Sequence, residues 1–250
     1  MTSENDPQTQ PDVPVTTTLP SHLLSGIGFT PSSTQSVEVP KPLGYDKNLF
    51  LLDGRSIEVA FRSTVRPFIT VYDNVLSEYE CQCLVSESKK KLEKSTVVSG
   101  KDGQSEFNPA RTSSGTYFSK DDPIVEAIEQ RLAKLANWPM ELGEDIQVMR
   151  YLEGEEYKPH FDYFDPKLEG SKPHIQDGNR VATMIMYLNN FEAGGNAHFP
   201  EVGAHVVPKV GRVVFFSYDI ATPESKSLHS GTPVISGQKW IATKWWRERK

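Results

Sequence analysis

Sulfur chemistry is scarce in this chain: of 250 residues only Cys81 and Cys83 are cysteine, one residue apart. That spacing suits a bridge on neither a helix nor a strand, so no disulfide framework is expected and the pair reads as two thiols on a helix. No apolar run reaches the length of a membrane span, and the N-terminus has no basic-then-apolar leader pattern. No asparagine stands in an N-x-S/T acceptor context. Basic charge is also short: 27 Lys and Arg against 33 Asp and Glu give a formal net charge of −6. A nucleic-acid reader normally carries a basic face, so no nucleic-acid partner is expected. Together these absences predict a protein of a reducing, cytoplasmic compartment with no membrane partner.

What is present suffices for a core, since 37% of residues are hydrophobic and 10% aromatic. Residues 1–45 are crowded with Pro, Ser, Thr and Gln, which predicts a disordered tail with one short apolar patch, HLLSGIGF, at 22–29. Residues 46–250 read as one domain. Two β-runs broken near Pro67 lead into a helix capped by Ser77, with Glu80 completing a capping box. Its stripe is Leu84, Val85 and Leu92, and lysines gather in its last turns. A second helix starts from Asp122 with Pro123 at its first position, and its predicted buried stripe is Ile124, Ile128, Leu132 and Leu135. The polar, glycine-bearing stretch between the helices reads as a mobile loop or ribbon. From residue 144 on, short apolar runs alternate with glycine turns, the pattern of a sandwich or closed roll. The fold class is therefore α+β with a jelly-roll core.

One of these runs, YKPHFDYFDP at 157–166, sets His160 and Asp162 two apart, on one face if the segment is a strand. The remaining histidines supply no second H-x-D. In a roll, a late strand can lie beside this one, and His229 in SLHSGTPV stands near the end of the β region. Two imidazoles and a carboxylate on one face make the 2-His-1-carboxylate triad, which leaves three positions open on Fe(II) for a chelating 2-oxo acid and O2. The bland alternative is a hydrogen-bonded core pair with His229 on a surface turn. Lys239 argues against it. A hairpin through VISGQK would return Lys239 beside His229, and an unpaired lysine in a cavity implies an anionic partner.

From ARTSSGTYF at 110–118 to the C-terminus, these residues resemble the catalytic domain of Fe(II)/2-oxoglutarate-dependent prolyl 4-hydroxylases. The likeness rests on IQVMRY, YKPHFDYF, RVATMIMYLN, PKVGRVVFF and SLHSGTPVISGQKWIATKWW, in order and with matching spacings. It implies a double-stranded β-helix, with His160, Asp162 and His229 as iron ligands. Lys239 would bind the distal carboxylate of 2-oxoglutarate, helped by Tyr151 and Thr183. Arg111, Ser113, Tyr157 and Trp245 would contact a proline-containing peptide, and a loop at about 96–112 would close over it. The implied reaction is hydroxylation of a prolyl residue at C4, consuming O2, releasing succinate and CO2, with ascorbate as reductant. An oxygenase of the same class acting on a lysyl residue or a small molecule, and a jelly-roll peptide-binding module without catalysis, are the alternatives. The oligomeric state is left open.

Two departures stand out. Where many relatives read G-G-E-T, this chain has Asn196 and Ala197, followed by His198, for which the spacing offers no ligand partner. Arg247 replaces a rim histidine.

Overall fold

The computed structural model describes residues 36–44 and 46–249, so the sequence readings for residues 1–35, including the patch at 22–29, lie outside the described residues. The domain begins earlier than expected. Residues 36–44 are held to it, with the Val37 amide donating to the Asp219 carbonyl and the Leu43 amide to the Leu135 carbonyl.

Along the chain, strands β1 (Leu49–Leu52), β2 (Arg55–Arg62) and β3 (Phe68–Asp73) precede helix α1 (Glu78–Ser88). Short β4 (Glu93–Lys94), the ribbon β5 (Val97–Val98) and β6 (Ser105–Glu106), and β7 (Ser114–Phe118) lead to helix α2 (Pro123–Ala136). Then come β8 (Ile146–Tyr151), β9 (Tyr157–His160), β10 (Arg180–Tyr187), β11 (Ala193–Gly194), β12 (Ala197–Phe199) and β13 (Ala204–Val206). The chain closes with β14 (Val213–Ser217), β15 (His229–Gly231), β16 (Val234–Ser236) and β17 (Lys239–Arg247). Nine strands form a major sheet in the order β1-β2-β3-β14-β10-β17-β8-β7-β4, and four form a minor sheet, β13-β12-β15-β9. All pairings are antiparallel. This is a double-stranded β-helix: sequentially distant strands interleave, so β9 meets β15 and β10 lies between β14 and β17.

Strand alternation divides the core in two. On β17, Trp240, Ala242 and Trp246 face the helices, together with Val148 of β8 and Met184 and Met186 of β10. There they pack against Leu84 of α1 and Ile128, Leu132 and Leu135 of α2. The opposite parity, Met149, Tyr151, Ile185, Tyr187 and Ile241, faces the minor sheet. Buried Lys244, on the helix side, pairs with Glu129 of α2 at 2.6 Å.

The helix starts are as read. The Ser77 side chain accepts from the Glu80 amide while Glu80 reaches back to the Ser77 amide, and the Asp122 side chain accepts from the Ile124 amide. Two details differ. Helix α1 ends at Ser88 with no basic residue in its last turn, so the lysines and Leu92 lie beyond it. In α2 the buried stripe begins at Val125, and Ile124 is exposed, because at about 100° per residue it falls at the edge of the face that Val125, Leu132 and Leu135 bury. Both thiols are free on α1, Cys81 buried and Cys83 partly so.

Candidate active site

Between the two sheets lies a cavity of about 550 Å³ lined by strands of both. Strand β9 ends at His160, so Asp162 sits just past the strand end rather than on it. Antiparallel pairing of β9 with β15 places His229 opposite His160. The histidine Nε2 atoms then stand 3.6 Å (His160) and 3.5 Å (His229) from separate oxygens of Asp162. One ligand atom from each of the three residues lies within 4.8 Å of the others.

Both histidines are locked in the same way. The Nδ1 of His160 bonds the carbonyl of Lys158 at 2.8 Å, and the Nδ1 of His229 bonds the carbonyl of Ser227 at 3.0 Å. Each carbonyl is two residues upstream, so Nδ1 carries the proton and the Nε2 lone pairs are left for a ligand. Burial pushes the His229 imidazole down to about 4, which keeps it neutral. Burial opposes ionisation of Asp162, yet His229, His160 and Arg180 together hold its carboxyl well below the usual range. A neutral His229, a His160 whose Nδ1 is taken by a carbonyl and an ionised Asp162 suit a divalent transition metal; ligands at bond lengths of about 2.1 Å would stand about 3 Å apart, so the observed 3.5 and 3.6 Å would close slightly around an ion.

A shell of contacts fixes these three side chains. The Thr183 hydroxyl donates to the Asp162 carboxylate at 2.7 Å and lies 3.1 Å from the Tyr218 hydroxyl. The Arg180 guanidinium donates to the Asp162 carbonyl at 3.3 Å and pairs with Glu144 at 2.6 Å. Tyr157 stacks on His160 with ring centroids 3.5 Å apart, and the Arg111 guanidinium lies 5.0 Å from the centre of the Tyr157 ring. Arg111 is held in turn by the Thr96 carbonyl at 3.0 Å and the Gln147 side chain at 2.8 Å.

Lys239 reaches the cavity differently from the sequence expectation. After β15 the chain crosses from the minor to the major sheet, and Lys239 begins β17 opposite Tyr151 of β8. It therefore faces the triad from the other wall. Only 2% exposed, its ammonium meets the Gly195 carbonyl at 3.2 Å and the Tyr151 ring at 4.3 Å. Desolvation pushes its pKa down to about 7, and no ion pair to a carboxylate engages it among the described residues. Backbone glycines make room: a Cβ on Gly231 would come within 3.1 Å of the ammonium nitrogen, and one on Gly195 (φ +61°) within 3.0 Å of the Lys239 chain.

The remaining predicted residues divide. Tyr157, Arg111 and Trp245 line the cavity, with Arg180 stacked 4.1 Å over the Trp245 ring. Thr183 does not join Lys239. It lies opposite Trp245, six residues along β17 from Lys239, and its hydroxyl is committed to Asp162. Ser113 is fully buried against the Ser95 hydroxyl, 2.9 Å away, and ties two backbone segments together. The loop read as a lid is the β5–β6 ribbon, docked on residues 169–174 through the Gly170 amide to Gly100 carbonyl bond and through His174 on the Gly103 carbonyl. Arg247 turns to Glu144 at 2.9 Å. The sequence reading missed Glu144, Arg180 and Tyr218, because which charge or hydroxyl a strand residue meets is set by sheet register.

Residues 146–247 match the family model described as the 2OG-Fe(II) oxygenase superfamily. The chain is 40% identical over 204 residues to probable prolyl 4-hydroxylase 4 of Arabidopsis thaliana, covering 72% of this chain and 67% of that one. Prolyl 4-hydroxylase 2 of the same plant is 39% identical over the same shares. Among solved structures, the viral collagen prolyl hydroxylase of Paramecium bursaria Chlorella virus-1 in its 2OG complex matches with a TM-score of 0.56. It is 27% identical, and the match covers 72% of this chain and 95% of that one. A Pseudomonas putida prolyl-4-hydroxylase at 18% identity and a TM-score of 0.51 shares the fold. With this fold, a cavity walled by both sheets and relatives at this identity, the chain belongs to the prolyl 4-hydroxylase family of 2OG-Fe(II) oxygenases.

Proposed function

We propose that this protein hydroxylates prolyl residues of a peptide or protein at C4, using Fe(II), 2-oxoglutarate and O2 and releasing succinate and CO2. The observation that carries this reading is one cavity holding a His-Asp-His set on one wall and a buried, carboxylate-free lysine on the other. His160, Asp162 and His229 would hold the iron, which when bound supplies the O2 chemistry and leaves the protein to position and shield. Lys239 would take the far carboxylate of 2-oxoglutarate, with the Tyr151 hydroxyl as second donor; among the described residues that hydroxyl makes only a long contact to the Met149 sulfur, 3.7 Å. Thr183 orients Asp162 instead of touching the oxo acid, a proposal its bond to that carboxylate supports.

On the peptide side, Tyr157 and Trp245 offer flat apolar faces to a proline ring. Arg111 acts by backing Tyr157, and Ser113 by bracing the segment that carries Arg111. The docked β5–β6 ribbon roofs the cavity and limits water. Among the described residues no helix is long and apolar enough to cross a membrane; a cytoplasmic location is the reading the two unpaired thiols favour.

The test is purified full-length protein with Fe(II), 2-oxoglutarate and ascorbate against proline-rich peptides, following succinate and peptide mass. Gain of one oxygen on proline, coupled to succinate, is the expected result. Succinate without peptide oxidation would move the substrate away from proline, and no succinate from iron-loaded protein would defeat the catalytic reading.

A further inference from the structure

Outside the cavity, one pair of titratable side chains takes no part in the site. β12 and β13 pair antiparallel with His198 opposite His205. Ala197, Phe199 and Val206 are buried in the cluster between the sheets, so alternation puts both imidazoles on the outer face of the minor sheet. The two rings lie face to face, with centroids 3.9 Å apart and planes 12° apart.

Their nitrogens set them apart. His160, His174 and His229 each commit one ring nitrogen to a backbone carbonyl. Among the described residues, no hydrogen bond or ion pair engages the ring nitrogens of His198 or His205, and partial burial with the neighbouring His205 lowers the proton affinity of His198. Two adjacent imidazoles with free lone pairs become a chelating set once one ring turns, and His205 is the more exposed of the two. Some turning is required, since nearly parallel rings aim their lone pairs in parallel.

We propose that His198 and His205 form a second divalent transition-metal site on the outer face of the minor sheet, separate from the centre in the cavity. Each residue gives one nitrogen and water completes the shell, so ions that favour imidazole, Ni(II), Cu(II) and Zn(II), are preferred over Mg(II) and Ca(II). With two ligands rather than three, and no carbonyl holding the second ring nitrogens, the site binds at least about 10–100-fold more weakly than the triad. The ion would tie edge strand β13 to β12, whose other edge pairs with β15 and sets His198 opposite Ser230, next to His229.

Equilibrium dialysis of the full-length chain against Ni(II) tests this. Wild type should bind a tight and a weak equivalent; His198→Ala and His205→Ala should each lose the weak one and keep the tight one. With Cu(II), the second equivalent should give an electron paramagnetic resonance spectrum coupled to two imidazole nitrogens, absent in His205→Ala. Peptide hydroxylation by His205→Ala should match wild type, since the residue stands outside the cavity, and this also shows that the variant is folded. A weak equivalent that survives both substitutions would place the metal elsewhere on the chain. A single equivalent in wild type would mean the pair binds none. Either result overturns the proposal.

Discussion

Lys239 carries a charge into a wall where a carbonyl and an aromatic face are its near partners. Replacing it by Ala should weaken 2-oxoglutarate binding by roughly 10²–10⁴-fold, since a buried charge left without its partner costs about 3–5 kcal/mol. Calorimetric titration of the metal-loaded protein would measure this, and a change under about fivefold would remove Lys239 from the binding role. Its depressed pKa adds a pH signature. The carboxylate needs the ammonium form, so affinity should fall about tenfold per pH unit above about 7, until the pH reaches the pKa of the complex. Stability runs the other way. The folded value lies below the ordinary 10.5, so the unfolded chain holds the extra proton between about pH 7 and 10.5 and stability rises with pH across that window. In Lys239→Met, denaturant midpoints should lose this slope. Thr183 makes a separate prediction: Thr183→Val removes the hydroxyl from Asp162 and should cost about 10–100-fold in metal affinity by dialysis, while Thr183→Ser keeps it. His160, Asp162, His229 and Lys239 were legible in the sequence because each is a chemically odd residue for a strand or strand end. The partners of Thr183 and Ser113 were not, because a hydroxyl's partner is decided by the strand beside it.

Elements were legible where local chemistry decides them. Ser77 with Glu80 and Asp122 with Pro123 mark helix starts by side chains that satisfy their own first turns. The end of α1 was not legible, because Lys89, Lys90 and Lys91 suit a last helical turn, yet the helix ends at Ser88 with Lys89 as its cap. Likewise β9 stops at His160, and the expected i, i+2 strand pair becomes a strand end and a turn. The β5–β6 ribbon depends on close backbone approach. A Cβ on Gly170 would stand 2.3 Å from the Ser99 carbonyl oxygen. Gly170→Ala should therefore undock the ribbon. The measurement is hydrogen exchange across residues 97–106, with faster exchange and a raised peptide KM expected, and metal affinity unchanged. Unaltered exchange would mean the ribbon does not depend on this contact.

At the scale of the whole molecule, the helices and the cavity share one sheet. Lys244 and Glu129 join α2 to β17, both side chains wholly buried, and burial raises the carboxyl and lowers the ammonium even as each opposes the other's shift. Glu129→Ala would strand the ammonium and should cost about 3–5 kcal/mol in chemical denaturation, whereas Glu129→Leu with Lys244→Met should come close to wild type. The roll itself was foreseeable from many short strands and turns, but the crossing that carries Lys239 from one sheet to the other was not, since a hairpin and a sheet change look alike in VISGQK. That crossing makes β17 a measuring rod. Lys239, Ile241, Thr243 and Trp245 lie along one edge of the cavity, and six residues of strand span about 20 Å. On the roles proposed for Lys239 and Trp245, the oxo acid would be held near one end of the rod and the peptide ring near the other, so the two molecules would share a fixed length. On those roles a 2-oxo diacid one carbon longer than 2-oxoglutarate should bind more weakly, its charge matched but the distance between Lys239 and the His-Asp-His set too short for it.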